Sequence, residues 1–219
     1  MDPEKKTRSA SERDEPAREA WRQEAAAIEP TRWVFVDEFG SNVGMTRIYA
    51  RSPRGERAHA QVPGNRGFNR TTLASLTLEG LTAGLVLEKA VTRCGFEVYV
   101  KYILAPTLRP NQIVVMDNLR QHHSEYVREA IEARGASLWF LPAYSPDLNP
   151  IEEAFSKVKT LLRSAGARVH EALIAAIGAS AAAITPIDAH GYFNHGGYRP
   201  PKRRRPRRGA MTPDTSIPG

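Results

Sequence analysis

Three short apolar runs constrain the fold of this chain more than any other feature. Trp33-Val-Phe-Val36, Gln112-Ile-Val-Val-Met116 and Ser137-Leu-Trp-Phe-Leu141 have the length and the β-branched or aromatic content of buried strands. The first two run directly into an aspartate, Asp37 and Asp117. Thr71–Leu78 is also β-rich, and Ala83–Leu87 returns as its hairpin partner across Glu79-Gly80. Thr46–Ala50, after Gly40 and Gly44, reads as a further strand. Asp14-Glu15-Pro16 opens a helix reaching to about Ala27. Helical spacing recurs over Phe96–Leu104, over Ser124–Arg134 (closed by Gly135) and over Val169–Ile184, and Thr185-Pro-Ile-Asp188 starts a short helix near the end. Meander, helix, strand, helix, strand, helix is the order of an α/β fold with a mixed sheet flanked by helices.

The stretch Tyr144–Leu162 begins as a proline-punctuated loop and turns into a helix. Asn149 suits the N-cap, Pro150 the first helical position, and Glu152 follows three residues after the cap. Ile151, Phe155, Val158 and Leu162 form one apolar stripe, with Glu152 on its shoulder and Glu153 round towards solvent. Taken alone, Glu152 reads as a capping-box residue. Ligands of open α/β sheets collect at the carboxyl ends of the parallel strands. Asp37 and Asp117 occupy that position, and the loop after Leu141 brings Glu152 to the same edge. Neighbouring strands lie only ~4.8 Å apart, so adjacent strands would bring both aspartates within reach of one cation. Three carboxylates without a cysteine or an obligatory histidine suit Mg²⁺ or Mn²⁺, and two such ions are the requirement of metal-assisted phosphoryl transfer. Strand alternation puts Glu38 on the face opposite Asp37; Glu38 and Glu153 are the alternatives within the two acidic pairs.

The net charge of +7 is unevenly spread. Seven of the 31 basic residues fall within 199–208, and the remaining 24 equal the 24 acidic residues. The rest of the chain is therefore neutral, and residues 199–219 read as a basic disordered tail able to attract phosphate backbones. The first thirty residues form a charged leader and an N-terminal helix without a signal-peptide core, and no run is long enough for a membrane span. A cytoplasmic, nucleoid-associated protein without a membrane partner is the expectation. The single cysteine, Cys94, excludes an intramolecular disulfide and reads as a small buried filler.

Val36-Asp37-Glu38, Val115-Met-Asp-Asn118 and Tyr144-Ser-Pro-Asp-Leu-Asn-Pro-Ile-Glu152 resemble the three signature blocks of DDE transposases, in the bacterial insertion-sequence branch of the mariner-type superfamily. Thirty-four residues separate Asp117 from Glu152, a spacing typical of that branch, and the resemblance spans about Thr31 to Tyr198. It implies a ribonuclease-H-like catalytic domain over 31–198, with Asp37, Asp117 and Glu152 as the catalytic and metal-binding triad. The implied partners are double-stranded DNA, as transposon ends and target, and a second copy of the chain when active. Family members carry helix-turn-helix modules ahead of this domain. The first strand begins near Trp33, so an upstream module or separate product is expected to supply end binding. Phe39, the segment Leu119–His123 and the arginine-rich tail depart from the family pattern. Candidate DNA contacts are Arg66, Arg70, Asn118, His122 and Lys159. Another ribonuclease-H-like nuclease, or an idle transposase fragment acting as partner subunit or inhibitor, are the alternative readings.

Overall fold

In a computed structural model of the 219-residue chain, residues 11–59, 61–119 and 122–199 are described. The basic tail beyond Arg199 lies outside them. Strand β1 (Trp33–Ser41) occupies the middle of a five-stranded sheet. One edge pairs antiparallel with β2 (Arg70–Thr77), which pairs antiparallel with β3 (Gly80–Leu87). The other edge pairs parallel with β4 (Ile113–Met116), which pairs parallel with β5 (Ser137–Phe140), giving the order β3-β2-β1-β4-β5. The predicted meander and parallel strands are thus present. The strand predicted at Thr46–Ala50 is not: among the described residues, 42–69 form an irregular connection with Tyr49 and Phe68 largely exposed. Both edges of β1 are already taken by β2 and β4, so Ile48 and Tyr49 have no central strand to join.

Strand alternation divides the core. Trp33, Phe35 and Phe39 of β1, with Ile113 and Val115 of β4, face α1 (Glu15–Ala25), α4 (Pro150–Ala165), α5 (His170–Ala182) and α6 (Pro186–His195). Trp21, Phe155, Val158, Leu173, Phe193 and Tyr198 fill that side. Val34, Val36, Val114 and Met116 face α2 (Arg93–Tyr99) and α3 (Glu125–Glu132) through Phe96, Tyr99, Val127 and Ile131. Each such side chain removed from water contributes roughly 1.5–3 kcal/mol before the entropy of ordering it is counted.

Two elements differ from their sequence signals. The helix predicted over Phe96–Leu104 starts earlier, where the Thr92 hydroxyl accepts from the Gly95 N–H (3.1 Å), and widens to a π-helical turn over Val100–Leu104. That earlier start puts Cys94 on the outer face of α2, so it is exposed rather than a core filler. Helix α1 is part of the core. Trp21 Nε1 donates to Tyr198 Oη (2.9 Å), which donates to the Leu148 carbonyl (2.6 Å). Arg18, fully buried, grips Asp147 with two hydrogen bonds of 3.1 and 2.6 Å. Both ends of the described chain therefore hold the loop that precedes α4. No single described helix is long and apolar enough to cross a membrane.

The β2–β3 hairpin closes at Gly80, where φ is +118° and a Cβ would stand 2.7 Å from the Ile184 carbonyl oxygen. Gly80→Ala is therefore expected to destabilise the fold by more than about 1 kcal/mol, read as a lowered thermal midpoint.

Candidate active site

Asp37 lies inside β1 rather than at its end, a correction to the sequence reading. The reason is that β4 pairs with β1 only as far as Phe35↔Val115, while β1 continues to Ser41 against β2 alone. A cleft opens where β1 outruns its parallel neighbour. The same alternation that sends Trp33 and Phe35 towards α4 sends Asp37 there too. Asp117 follows directly on Met116, where β4 stops. Glu152 is exposed in the first turn of α4, where the helix dipole favours a negative charge. These three side chains line one cavity of about 420 Å³, together with Asn118, Tyr144 and Asn149.

Asp37 is 9% exposed. Its Oδ1 accepts from the Glu38 N–H (2.7 Å) and its Oδ2 from Asn149 Nδ2 (2.8 Å). Burial pushes its carboxyl up to about 7; the Glu38 N–H works against this, the charges of Glu152 and Asp117 add to it, and His122 opposes it. Asp117 accepts from the Leu119 N–H (3.3 Å). His122 Nδ1 stands 2.6 Å from Asp117 Oδ1 but out of hydrogen-bonding alignment, with the imidazole packed on the Phe96 ring at 4.3 Å between centroids. Among the described residues, no three acidic, histidine or cysteine side chains stand close enough to enclose a metal ion by themselves. The donors are nonetheless all hard oxygens, and a divalent cation would offset both the burial of Asp37 and the repulsion that Glu152 and Asp117 add to it. The residue set fits Mg²⁺ or Mn²⁺.

The cleft thus gathers Asp37, Asp117, Glu152 and Asn118 of the predicted site residues. The others lie elsewhere. His122 is 1% exposed, sealed behind Asp117, and has no surface to offer DNA. Arg70 is held by Glu88 (2.8 Å) at the start of β2, whereas Arg66 is exposed in the 42–69 connection. Lys159 is half-buried, its ammonium 5.8 Å from the centre of the Phe39 ring. Glu38 falls on the opposite strand face from Asp37, as alternation requires, and Glu153 pairs with His195 across to α6. The predicted capping box is absent: Asn149 is the N-cap of α4, but its side chain makes no cap hydrogen bond and is turned to Asp37 instead. That role, and the placement of His122 behind Asp117, had no signal in the sequence, because both depend on contacts across the fold. Tyr144, at the rim, is 58% exposed with φ +54°, a conformation costly for an aromatic residue.

A family model described as DDE superfamily endonuclease matches residues 32–174. No curated protein matches the chain. Among solved structures, a pre-cleavage Mos1 transpososome is similar with TM-score 0.65 and 16% identity, over 90% of this chain and 65% of that one. The Mos1 mariner paired end complex with Mn gives 0.65 and 17%, over 90% and 64%. The catalytic domain of Mos1 mariner transposase gives 0.59 and 15%, over 83% and 85%. The chain thus spans just under two thirds of the longer Mos1 chains. These likenesses establish the fold, a mixed five-stranded sheet with flanking helices of the ribonuclease-H-like kind. With the family model covering most of its length, the chain belongs to the DDE superfamily of endonucleases.

Proposed function

We propose that this protein is the catalytic domain of a transposase of the mariner-type superfamily, in its bacterial insertion-sequence branch. It cleaves DNA strands at the transposon ends and joins the freed 3′-hydroxyl to target DNA. The observation that carries this reading is the cluster of Asp37, Asp117 and Glu152 in one cleft, with Asp37 buried against the charges of the other two. Such a cluster is unfavourable by itself and favourable around cations. Mg²⁺ and Mn²⁺ accept one or two carboxylates each and complete their shells with water and substrate phosphate, so three carboxylates lining an open cleft suit a site that would share its ions with DNA. Two ions, when bound, supply an activated oxygen nucleophile and stabilise the leaving oxygen.

Within that scheme Asp37, Asp117 and Glu152 would hold the ions, Asp37 being the carboxylate to which both other charges couple. The exposed Asn118 stands at the mouth, where it would orient water or phosphate. Arg66, and more weakly Lys159, are left as backbone contacts. The solved Mos1 structures include complexes with a transposon end, with Mn and with Mg, which supports DNA and divalent metal as partners here. An upstream end-binding module or product, self-association during transposition and a cytoplasmic, nucleoid-associated location belong to the same proposal.

Nicking of supercoiled plasmid by the purified chain with Mn²⁺ tests it without knowledge of the transposon ends. Wild-type protein is expected to nick, with Asp117→Asn and Glu152→Gln each reduced by about 10³-fold or more, several kcal/mol of lost transition-state stabilisation. Equal nicking by all three would overturn the site. Silence of all three would instead favour the idle partner-subunit reading.

A further inference from the structure

Asn149 is placed to cap α4 and does not do so. An N-cap asparagine ordinarily turns its side-chain oxygen to the amides of the first helical turn. Here the side chain is 5% exposed, makes no cap hydrogen bond, and donates from Nδ2 to Asp37 Oδ2 at 2.8 Å. Its Oδ1 is buried and has no partner among the described residues. The residue therefore forgoes a cap and leaves an acceptor unsatisfied, both unfavourable, for a single contact across 112 positions of sequence.

From this we infer that Asn149 is a positioning residue for Asp37, an inference that rests on the metal-dependent reading above. Asp37 accepts one hydrogen bond on each oxygen, from the Glu38 N–H and from Asn149. An ionised carboxylate has about four lone-pair directions, so each oxygen keeps one for a cation. A neutral amide fixes the carboxylate without adding a positive charge that would compete with the ion; a lysine or arginine at the same place would compete. The contact also ties β1 directly to the start of α4, beside the core packing of Phe39 on Phe155, so it links the strand that carries Asp37 to the helix that carries Glu152.

Asn149→Ser separates this role from helix capping, because serine caps as well as asparagine but is too short to span to Asp37. In the full chain, Asn149→Ser is expected to keep the metal-free thermal midpoint at or above that of the wild type. Its Mn²⁺ affinity, measured by calorimetric titration, is expected to fall about 10–100-fold, as for residues that orient a metal ligand. A cap role alone predicts the same midpoint for Asn149→Ser but an unchanged Mn²⁺ affinity, with stability lost only in Asn149→Ala. A metal-free double-mutant cycle of Asn149→Ala with Asp37→Ala adds a readout independent of binding and cleavage. The combined midpoint shift is expected to depart from additivity by roughly 2–4 °C. Additive shifts, or unchanged Mn²⁺ affinity in Asn149→Ser, would overturn the inference alone. A wild type that binds no Mn²⁺ would remove the metal reading beneath it and overturn both.

Discussion

Asp37→Asn is expected to make the protein more stable at pH 8 and catalytically silent. The two effects share one cause. In the folded chain the Asp37 carboxyl titrates near 7, against 3.8 for an ordinary aspartate, because it is buried and faces Glu152 and Asp117. A group whose folded value is raised binds its proton more tightly in the native state. Its contribution to stability is present in full below about pH 4 and is lost as the pH rises towards and through 7. Above that window the ionised carboxylate costs the metal-free protein on the order of 4 kcal/mol. An amide at position 37 avoids that cost, so the midpoint at pH 8 without metal should rise by roughly 5 °C or more, with little change at pH 4. Nicking should fall by about 10³-fold or more, since on the proposed reading the amide would no longer offer a charge to the divalent ions. Divalent metal should shift the wild-type midpoint upward more at pH 8 than at pH 6, because the ion competes with a proton for the same oxygens. Calorimetric scans at the two pH values, with and without Mn²⁺, check all of this. A variant that is less stable than wild type at pH 8 would contradict the electrostatic account.

The second large effect is expected at Asp147, outside the cleft. Arg18 is fully buried, and Asp147, half-exposed, receives two of its hydrogen bonds at 3.1 and 2.6 Å. Burial opposes the charge of Asp147, but the hydrogen bonds and charge of Arg18, with Arg13 alongside, outweigh it and hold the carboxyl below its usual range. Asp147→Ala leaves the guanidinium buried with, among the described residues, Glu15 as its remaining acidic partner at 3.3 Å. Stranding one member of a fully buried pair costs ~3–5 kcal/mol; with Asp147 half in solvent the loss is nearer 2–3 kcal/mol, about 4–12 °C in midpoint. Arg18→Met, which fills the space without a charge, should cost much less. Combining it with Asp147→Ala should recover most of the loss in the single aspartate variant. If Asp147→Ala melts like wild type, the pair is not what anchors α1.

The sheet was legible because its strands are short, apolar and bounded by turn signals. Trp33–Val36, Gln112–Met116 and Ser137–Leu141 had no other way to be buried, and their order left few topologies. The Thr46–Ala50 strand failed for a reason local pattern does not carry: β2 and β4 had already used both edges of β1. Among the candidate site residues, Asp37, Asp117 and Glu152 were singled out because two follow apolar strand runs and the third opens a helix, and the structure brings all three to one cleft. The surroundings of that cleft were not legible. Asn149 read as a cap and holds Asp37; His122 read as a surface residue and lies sealed between Asp117 and Phe96. Cys94 read as a core filler and is exposed on α2. In each case local sequence states what a side chain is able to do, and only the packed neighbours decide which of those abilities is used.

The grip on the loop before α4 also has a consequence in time. Arg18 meets Asp147 across 129 positions, and Trp21 reaches Tyr198 across 177, with Tyr198 also holding Leu148. Contacts so distant along the chain close late, because loop closure precedes any gain from them. On a ribosome, Tyr198 emerges after almost every residue described here. The loop that leads into α4 can therefore be gripped from both sides only once Tyr198 has been made, and a nascent chain short of that point has a sheet before it has a fixed approach to α4.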